Sequence, residues 1–410
     1  MRLSWLRDAS WLDGRRAVAY SVICVCVFAV VTVVWVLGGD GLADPRGVPL
    51  GGDFVSFWAA SKLAGSGAPA AVYDPTRHFD VELSIVGTDH FGWYSFFYPP
   101  TFLAVVLPLA LLPYVWSLLC WVAVTLAGYA LLMRRIVTKK ALWPVLAFPA
   151  AYINMAHGQN GFLTVILMGS GLMLLERYPL LAGIPIGLLS YKPHFGLLIP
   201  LCLLVTGRWK TIATAALTVA AFALLSRFLF GVETWQAYID ALPLARSLFE
   251  EGYTGWEKVP SIFALVTTFG GSAGAAYGAQ LVVATMAACT VLWVWRATES
   301  FELKASALVV GTFLVTPYAY DYDLVLLALP LAWLAAIGIR DGFLPWEKML
   351  LMAVWLMPLL MGAMATYLDV PLAQPLIVLL LVAIARRAAA RRAPLTRDVG
   401  LSRVEVPNAG

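Results

Sequence analysis

Residues 17–37 read AVAYSVICVCVFAVVTVVWVL, twenty-one positions without one charge. A helix needs about 20 such residues to cross the hydrocarbon core of a bilayer. A cleaved leader would have a shorter apolar core, roughly 7–15 residues, followed by a small-x-small cleavage site. Gly38-Gly39-Asp40 does not supply that site, so an uncleaved first crossing is predicted. The same texture recurs near 98–112, 115–133, 142–156, 162–175, 179–191, 195–206, 211–230, 274–295, 304–318, 322–338, 346–366 and 370–386. With 61% apolar residues, 13% charged and a mean hydropathy of +0.81, a soluble domain is excluded. The fold class is an all-α polytopic membrane protein.

Charge distribution orients the chain. Arg2, Arg7, Arg15 and Arg16 precede the first crossing, and six arginines from Arg386 onward stand against Asp398 and Glu405. Residues 38–97 carry seven acids and three bases. By the positive-inside rule both termini are cytoplasmic and the 38–97 loop is extracytoplasmic. Thirteen crossings would separate the termini, so about twelve are expected, with 98–112, short and bounded by prolines, as the irregular segment. The organisation is then a cytoplasmic N-terminus (1–16), a membrane domain (17–386) and a basic, disordered cytoplasmic tail (387–410). The tail reads as an orientation signal that contacts anionic lipid, not as a nucleic-acid arm. Cys24, Cys26, Cys120, Cys202 and Cys289 all fall in apolar segments, which implies neither a disulfide framework nor a zinc site.

Two polar segments stand apart. In 38–97, residues 54–63 and 76–86 have the mixed faces of helices lying on a membrane surface, and Asp74-Pro75 is a helix start. The second, 231–260, sets Trp235, Tyr238, Tyr253 and Trp256 among five acids. Both are expected on the outer face, as a partial lid over a cavity between broken helices.

Four clusters could carry chemistry. Asp53, in Gly51-Gly52-Asp53-Phe54, is a carboxylate at the membrane boundary, suited either to accepting a hydroxyl proton or to capping the helix that follows. His157-Gly158-Gln159-Asn160-Gly161 interrupts an apolar run and presents His157, Gln159 and Asn160 to a polar ligand, or simply turns the chain. Lys192, in Tyr191-Lys192-Pro193-His194, has no sequence-adjacent acid, so it either faces a cavity with an anion as its natural partner or snorkels to anchor a helix end. Thr316-Pro317-Tyr318-Ala319-Tyr320-Asp321-Tyr322-Asp323 places two acids and three tyrosines at a helix junction. Asp-x-Asp alone is weak for a metal, and no P-loop or serine-hydrolase signature occurs. No cofactor is expected.

Together, Asp53-Phe54-x-x-Phe57-Trp58, Tyr73-Asp74, Tyr98-Pro99-Pro100, Leu111-Leu112-Pro113, His157–Gly161, Lys192-Pro193-His194 and Thr316-Pro317-Tyr318 resemble glycosyltransferase family 87. This resemblance implies a GT-C fold and inverting, metal-independent transfer from a polyprenyl-phosphate sugar on the extracytoplasmic side of the inner membrane. It further implies Asp53 as general base. Phosphate contacts are then expected from Lys192, His194 and His157, and sugar or acceptor contacts from Asp321, Asp323, Tyr318, Gln159, Asn160, Trp58 and Trp256. The donor's lipid is expected near Tyr98, Pro99 and Pro100. The acceptor would be a lipid or glycan hydroxyl, with membrane lipid the other partner and no nucleic acid. Relatives with mannosyl or arabinosyl donors carry Trp-Asp-His-His where this chain has Tyr320-Asp321-Tyr322-Asp323, so the sugar stays open between mannose-like and arabinose-like. The alternative from another class is a secondary transporter or flippase, since broken helices and buried charges occur there too.

Overall fold

The computed structural model describes residues 2–392 apart from 40, 45–46, 88–90, 254 and 369; most of the basic tail lies outside the described residues. The regular elements among those residues are all helices, apart from one isolated β-bridge, Ala43 to Pro49. Seven helices are long and apolar enough to cross a membrane: Gly14–Leu37, Tyr114–Met133, Trp209–Glu250, Ala273–Ala297, Asp321–Asp341, Glu347–Leu368 and Ala373–Arg391. Four shorter apolar helices, Pro100–Leu111, Gly161–Leu174, Pro179–Tyr191 and Pro193–Val205, accompany them.

That falls short of the twelve crossings expected, and the reason is local. The 142–156 run divides into Leu142–Leu146 and Pro149–Ala156, because Pro149 starts a new helix instead of continuing the old one. The 98–112 run is one α-turn pair, Pro100–Val106, tightened into a 3-10 helix Leu107–Leu111 and ended before Pro113. Helix starts follow side-chain chemistry. Asp13 accepts from the Arg16 amide, and Asp74, ahead of Pro75, accepts from the Thr76 and Arg77 amides. Ser261 and Ser272 do the same for the Ala264 and Ala275 amides.

The helices differ in how much of them other helices cover. The most hydrophobic window of Gly14–Leu37 is 6% buried, whereas that of Asp321–Asp341 is 72% buried. The first therefore presents its apolar surface outward, and the second runs through the centre. Phe301–Val315 packs beside it with eleven of fifteen residues buried. The 42-residue helix Trp209–Glu250 bends at Gly231, separating a crossing half of roughly 33 Å from a half in the second polar segment.

The two polar segments pack together, Tyr73 against Tyr238 with ring centroids 5.6 Å apart. Phe54–Gly65 is not the surface helix expected: eight of its twelve residues are buried. Its Phe57 lies within 5.2–6.3 Å of the rings of Phe96, Tyr98, Phe102 and Trp121. The mixed pattern came from Ser56, Ser61 and Lys62, of which only Lys62 is exposed. Pro75–Val86 does have two faces, but its buried stripe holds the pair His78 and Glu82, 3.4 Å apart.

At the opposite end of the chain, Arg387 pairs with Glu347, both buried. Removing one partner leaves a buried charge, at a cost of about 3–5 kcal/mol, whereas replacing both with apolar residues is near neutral. Arg387→Met alone is therefore expected to lower the unfolding temperature in detergent sharply, and Arg387→Met with Glu347→Leu to recover most of it.

Candidate functional site

Two glycine-bearing turns meet to form the site. Gly158 has φ +55°, and a Cβ there would come within 2.6 Å of Phe54 Cβ and 3.2 Å of the Gly51 carbonyl oxygen. Only glycine lets the 157–161 turn lie against the 51–54 turn this closely. At Gly161 a Cβ would stand 2.9 Å from the Tyr322 carbonyl oxygen, so its absence admits the 321–327 helix from the other side. The backbone spacing of His157–Gly161 thus joins three distant parts of the chain.

The result surrounds Asp53. Its side chain makes no capping hydrogen bond to the helix it precedes, which removes the capping reading. Instead Gln159 Nε2 donates to Asp53 Oδ2 at 2.9 Å, and His157 Nδ1 lies 3.7 Å from Oδ1. The Gln159 amide is held in this orientation because its oxygen accepts from Tyr98 Oη (3.3 Å) and from the Asn160 amide (3.1 Å). Burial pushes the Asp53 carboxyl up, but His157 and Gln159 outweigh it and hold Asp53 below the ordinary carboxylate value. Burial likewise pushes His157 down, and Asp53 more than restores it, leaving the imidazole above its ordinary value. The two form an imidazolium–carboxylate pair with Oδ1 facing partly open space.

Lys192 lies beneath this pair. Its ammonium donates to Asp323 Oδ1 at 2.5 Å and to Asn160 Oδ1 at 3.0 Å, with the lysine and the aspartate both buried. Where a ligand's phosphate was expected, the anion beside Lys192 is a carboxylate of this chain, 131 positions away. Asp323 also accepts from the Tyr320 amide, so it faces the lysine and the backbone and not the pocket. Asp321 turns the other way, accepting from the Tyr322 amide. The two acids thus have separate partners, Asp323 the lysine and the Tyr320 amide and Asp321 the Tyr322 amide.

Other expected residues take other places. Trp58 is a brace: its Nε1 donates to the Leu112 carbonyl, and its ring lies against Tyr114 and under Lys62. Trp256 and Tyr318 both pack on Phe249. The His194 ring lies tilted against Phe195, and among the described residues its Nε2 has no hydrogen-bond partner. Pro99 and Pro100 set the start of the Pro100–Val106 helix and so aim Tyr98. A groove of about 710 Å³ opens at the far end of the Phe54–Gly65 helix from Asp53, lined by Lys62, Val81, Leu107, Pro108 and Leu111 among others.

One residue escaped the sequence reading. Lys258, at the end of the short helix Trp256–Lys258, is exposed and acts electrostatically on Asp53, His157 and Asp321 alike. Its signal was a cation in an acid-rich segment, two positions after a tryptophan.

Gly158→Ala is expected to strain the turn by roughly 1–2 kcal/mol and to separate His157 from Asp53, lowering both the unfolding temperature and activity. The His157–Asp53 pair also has a pH signature. The raised imidazole stabilises fully below its ordinary 6.5 and loses that contribution as pH climbs past its raised value. The lowered carboxyl contributes above its ordinary 3.8 and loses this as pH falls through its lowered value. The stability gap between wild type and His157→Gln should be widest between those two pH values and narrow above them; a pH-independent gap would contradict the ion pair.

A sequence model of glycosyltransferase family 87 matches residues 96–317, just over half of the chain. No curated protein and no solved structure matches. The matched span carries Tyr98, His157–Gly161 and Lys192; Asp53, Asp321 and Asp323 lie on either side of it. The chain belongs to glycosyltransferase family 87 and is a multi-pass membrane glycosyltransferase.

Proposed function

We propose that the protein moves a sugar from a polyprenyl-phosphate donor to a hydroxyl of a lipid or glycan acceptor, with inversion, at the extracytoplasmic face of a cell's inner membrane. The observation that carries this reading is the Asp53 carboxylate, partly exposed, ionised and held by Gln159 and His157 with one oxygen unclaimed by any hydrogen bond. The acceptor hydroxyl would approach that oxygen within ~3 Å. Its oxygen attacks the anomeric carbon and its proton passes to Asp53. The bond from the anomeric carbon to the phosphate oxygen breaks on the opposite face, and the electron pair leaves with the phosphate.

A carboxylate held below its ordinary pKa is a weak base, yet it is unprotonated whenever the acceptor arrives. The hydroxyl loses its proton only as it bonds to a carbon already carrying positive charge, so a weak base suffices. His157, cationic opposite Asp53, keeps that carboxylate ionised and offers an N–H near the reacting atoms. Lys192, Asp323 and Asn160 fix the floor; the sugar would be held above them by Asp321, Gln159 and the tyrosines of 318–322. A mannose-like and an arabinose-like donor fit this description equally.

The test is transfer of radiolabelled sugar from a panel of polyprenyl-phosphate sugars to endogenous lipid, in membranes containing wild type or Asp53→Asn. Loss of about 10²–10⁴ in rate is expected for the variant at unchanged protein level. Wild-type rates in Asp53→Asn would remove the base assignment, and label from no donor with wild type would remove the donor class.

A further inference from the structure

A departing lipid phosphate needs positive charge beside it, in a place its lipid can reach. Lys192 does not offer this, since its charge is balanced by Asp323 inside the protein. Lys258 does. It is exposed, and among the described residues no hydrogen bond or ion pair holds its ammonium.

Its position follows from a chain of contacts. The next residue, Val259, is buried in a small cluster with Phe249 and Phe263, against which Tyr320 packs. Tyr320 stacks on Tyr322 at 5.6 Å, and the Tyr322 ring lies 6.3 Å from the His157 ring, which faces Asp53. The turn itself is pinned. Gln374 Nε2 donates to the carbonyls of Val259 and Ser261, while Trp256 rests on Phe249 and Phe263. A rigid support therefore presents a free, exposed ammonium whose charge is felt by half-buried Asp53, His157 and Asp321. Two acids and one imidazole within its field leave the site without surplus positive charge if Lys258 is removed.

We propose that Lys258 is the ligand for the phosphate of the lipid-linked donor, drawing it to the site and stabilising it as it leaves. This rests on the donor class of the preceding subsection. The role is one of direct contact with substrate: an ammonium donating to phosphate oxygens is a charge-assisted hydrogen bond, among the stronger ones available. The same phosphate chemistry could come from a nucleotide-linked sugar, so the test separates the two.

Purified protein in nanodiscs is titrated with a polyprenyl monophosphate, with the uncharged polyprenol and with a nucleoside diphosphate. Wild type is expected to prefer the polyprenyl phosphate over the alcohol. In Lys258→Gln that preference should fall about ten- to a hundredfold, and Lys258→Arg should retain most of it. In transfer assays Lys258→Gln should raise the donor KM and lower kcat while leaving the acceptor KM unchanged. A Lys258→Gln protein that keeps the full preference overturns the proposal and leaves the transferase reading intact. Wild type that binds the nucleoside diphosphate and ignores the polyprenyl phosphate overturns both.

Discussion

The site depends on one buried ion pair. Lys192 sits where an apolar run breaks, Asp323 in the 3-10 start of the most enclosed span, and Asn160 in the turn between two shorter helices. Alone, each would be a polar group far from water, and an unpaired buried charge costs several kcal/mol. Brought together, they satisfy one another and tie three irregular junctions to one point. Irregular backbone is tolerated at membrane depth only where protein covers it, and this node supplies that cover. Gln159 reaches Asp53 because its neighbour Asn160 is held here.

Above the node, charge is arranged by depth. The floor is a neutral pair with no freedom to respond. Asp53, His157 and Asp321 are half-buried and Lys258 is exposed, so the groups able to exchange partners are those nearer solvent. Reaction chemistry that creates and moves charge belongs at such a level, because a preorganised field costs little to use.

Much of this was legible in the sequence, for reasons that differ by element. Apolar runs report helices almost one for one because lipid leaves no other backbone solution. The boundaries at Tyr114–Met133 and Ala273–Ala297 fall within a residue or two of the hydropathy edges. Asp53 and the His157–Gly161 turn stood out because polar residues and glycines at apolar depth need a reason. What stayed hidden was pairing across long separations. Nothing near Lys192 announces Asp323, and a lone lysine reads as waiting for a ligand. Phe54–Gly65 reads as a surface helix because periodicity reports polarity and not enclosure; its serines donate to backbone or lie inside. Which runs form single long helices was hidden for a related reason, since a hydropathy window cannot see Pro149 cut a run in two.

Asp53 sits on a segment that precedes the stretch by which the family is recognised. The family model matches 96–317, and Asp53 is brought to that span by the preceding stretch of chain, joined at one glycine-on-glycine seam. A seam of that kind makes the placing of Asp53 depend on backbone contact alone: any side chain added at Gly158 would push the 51–54 turn away from Gln159 and His157.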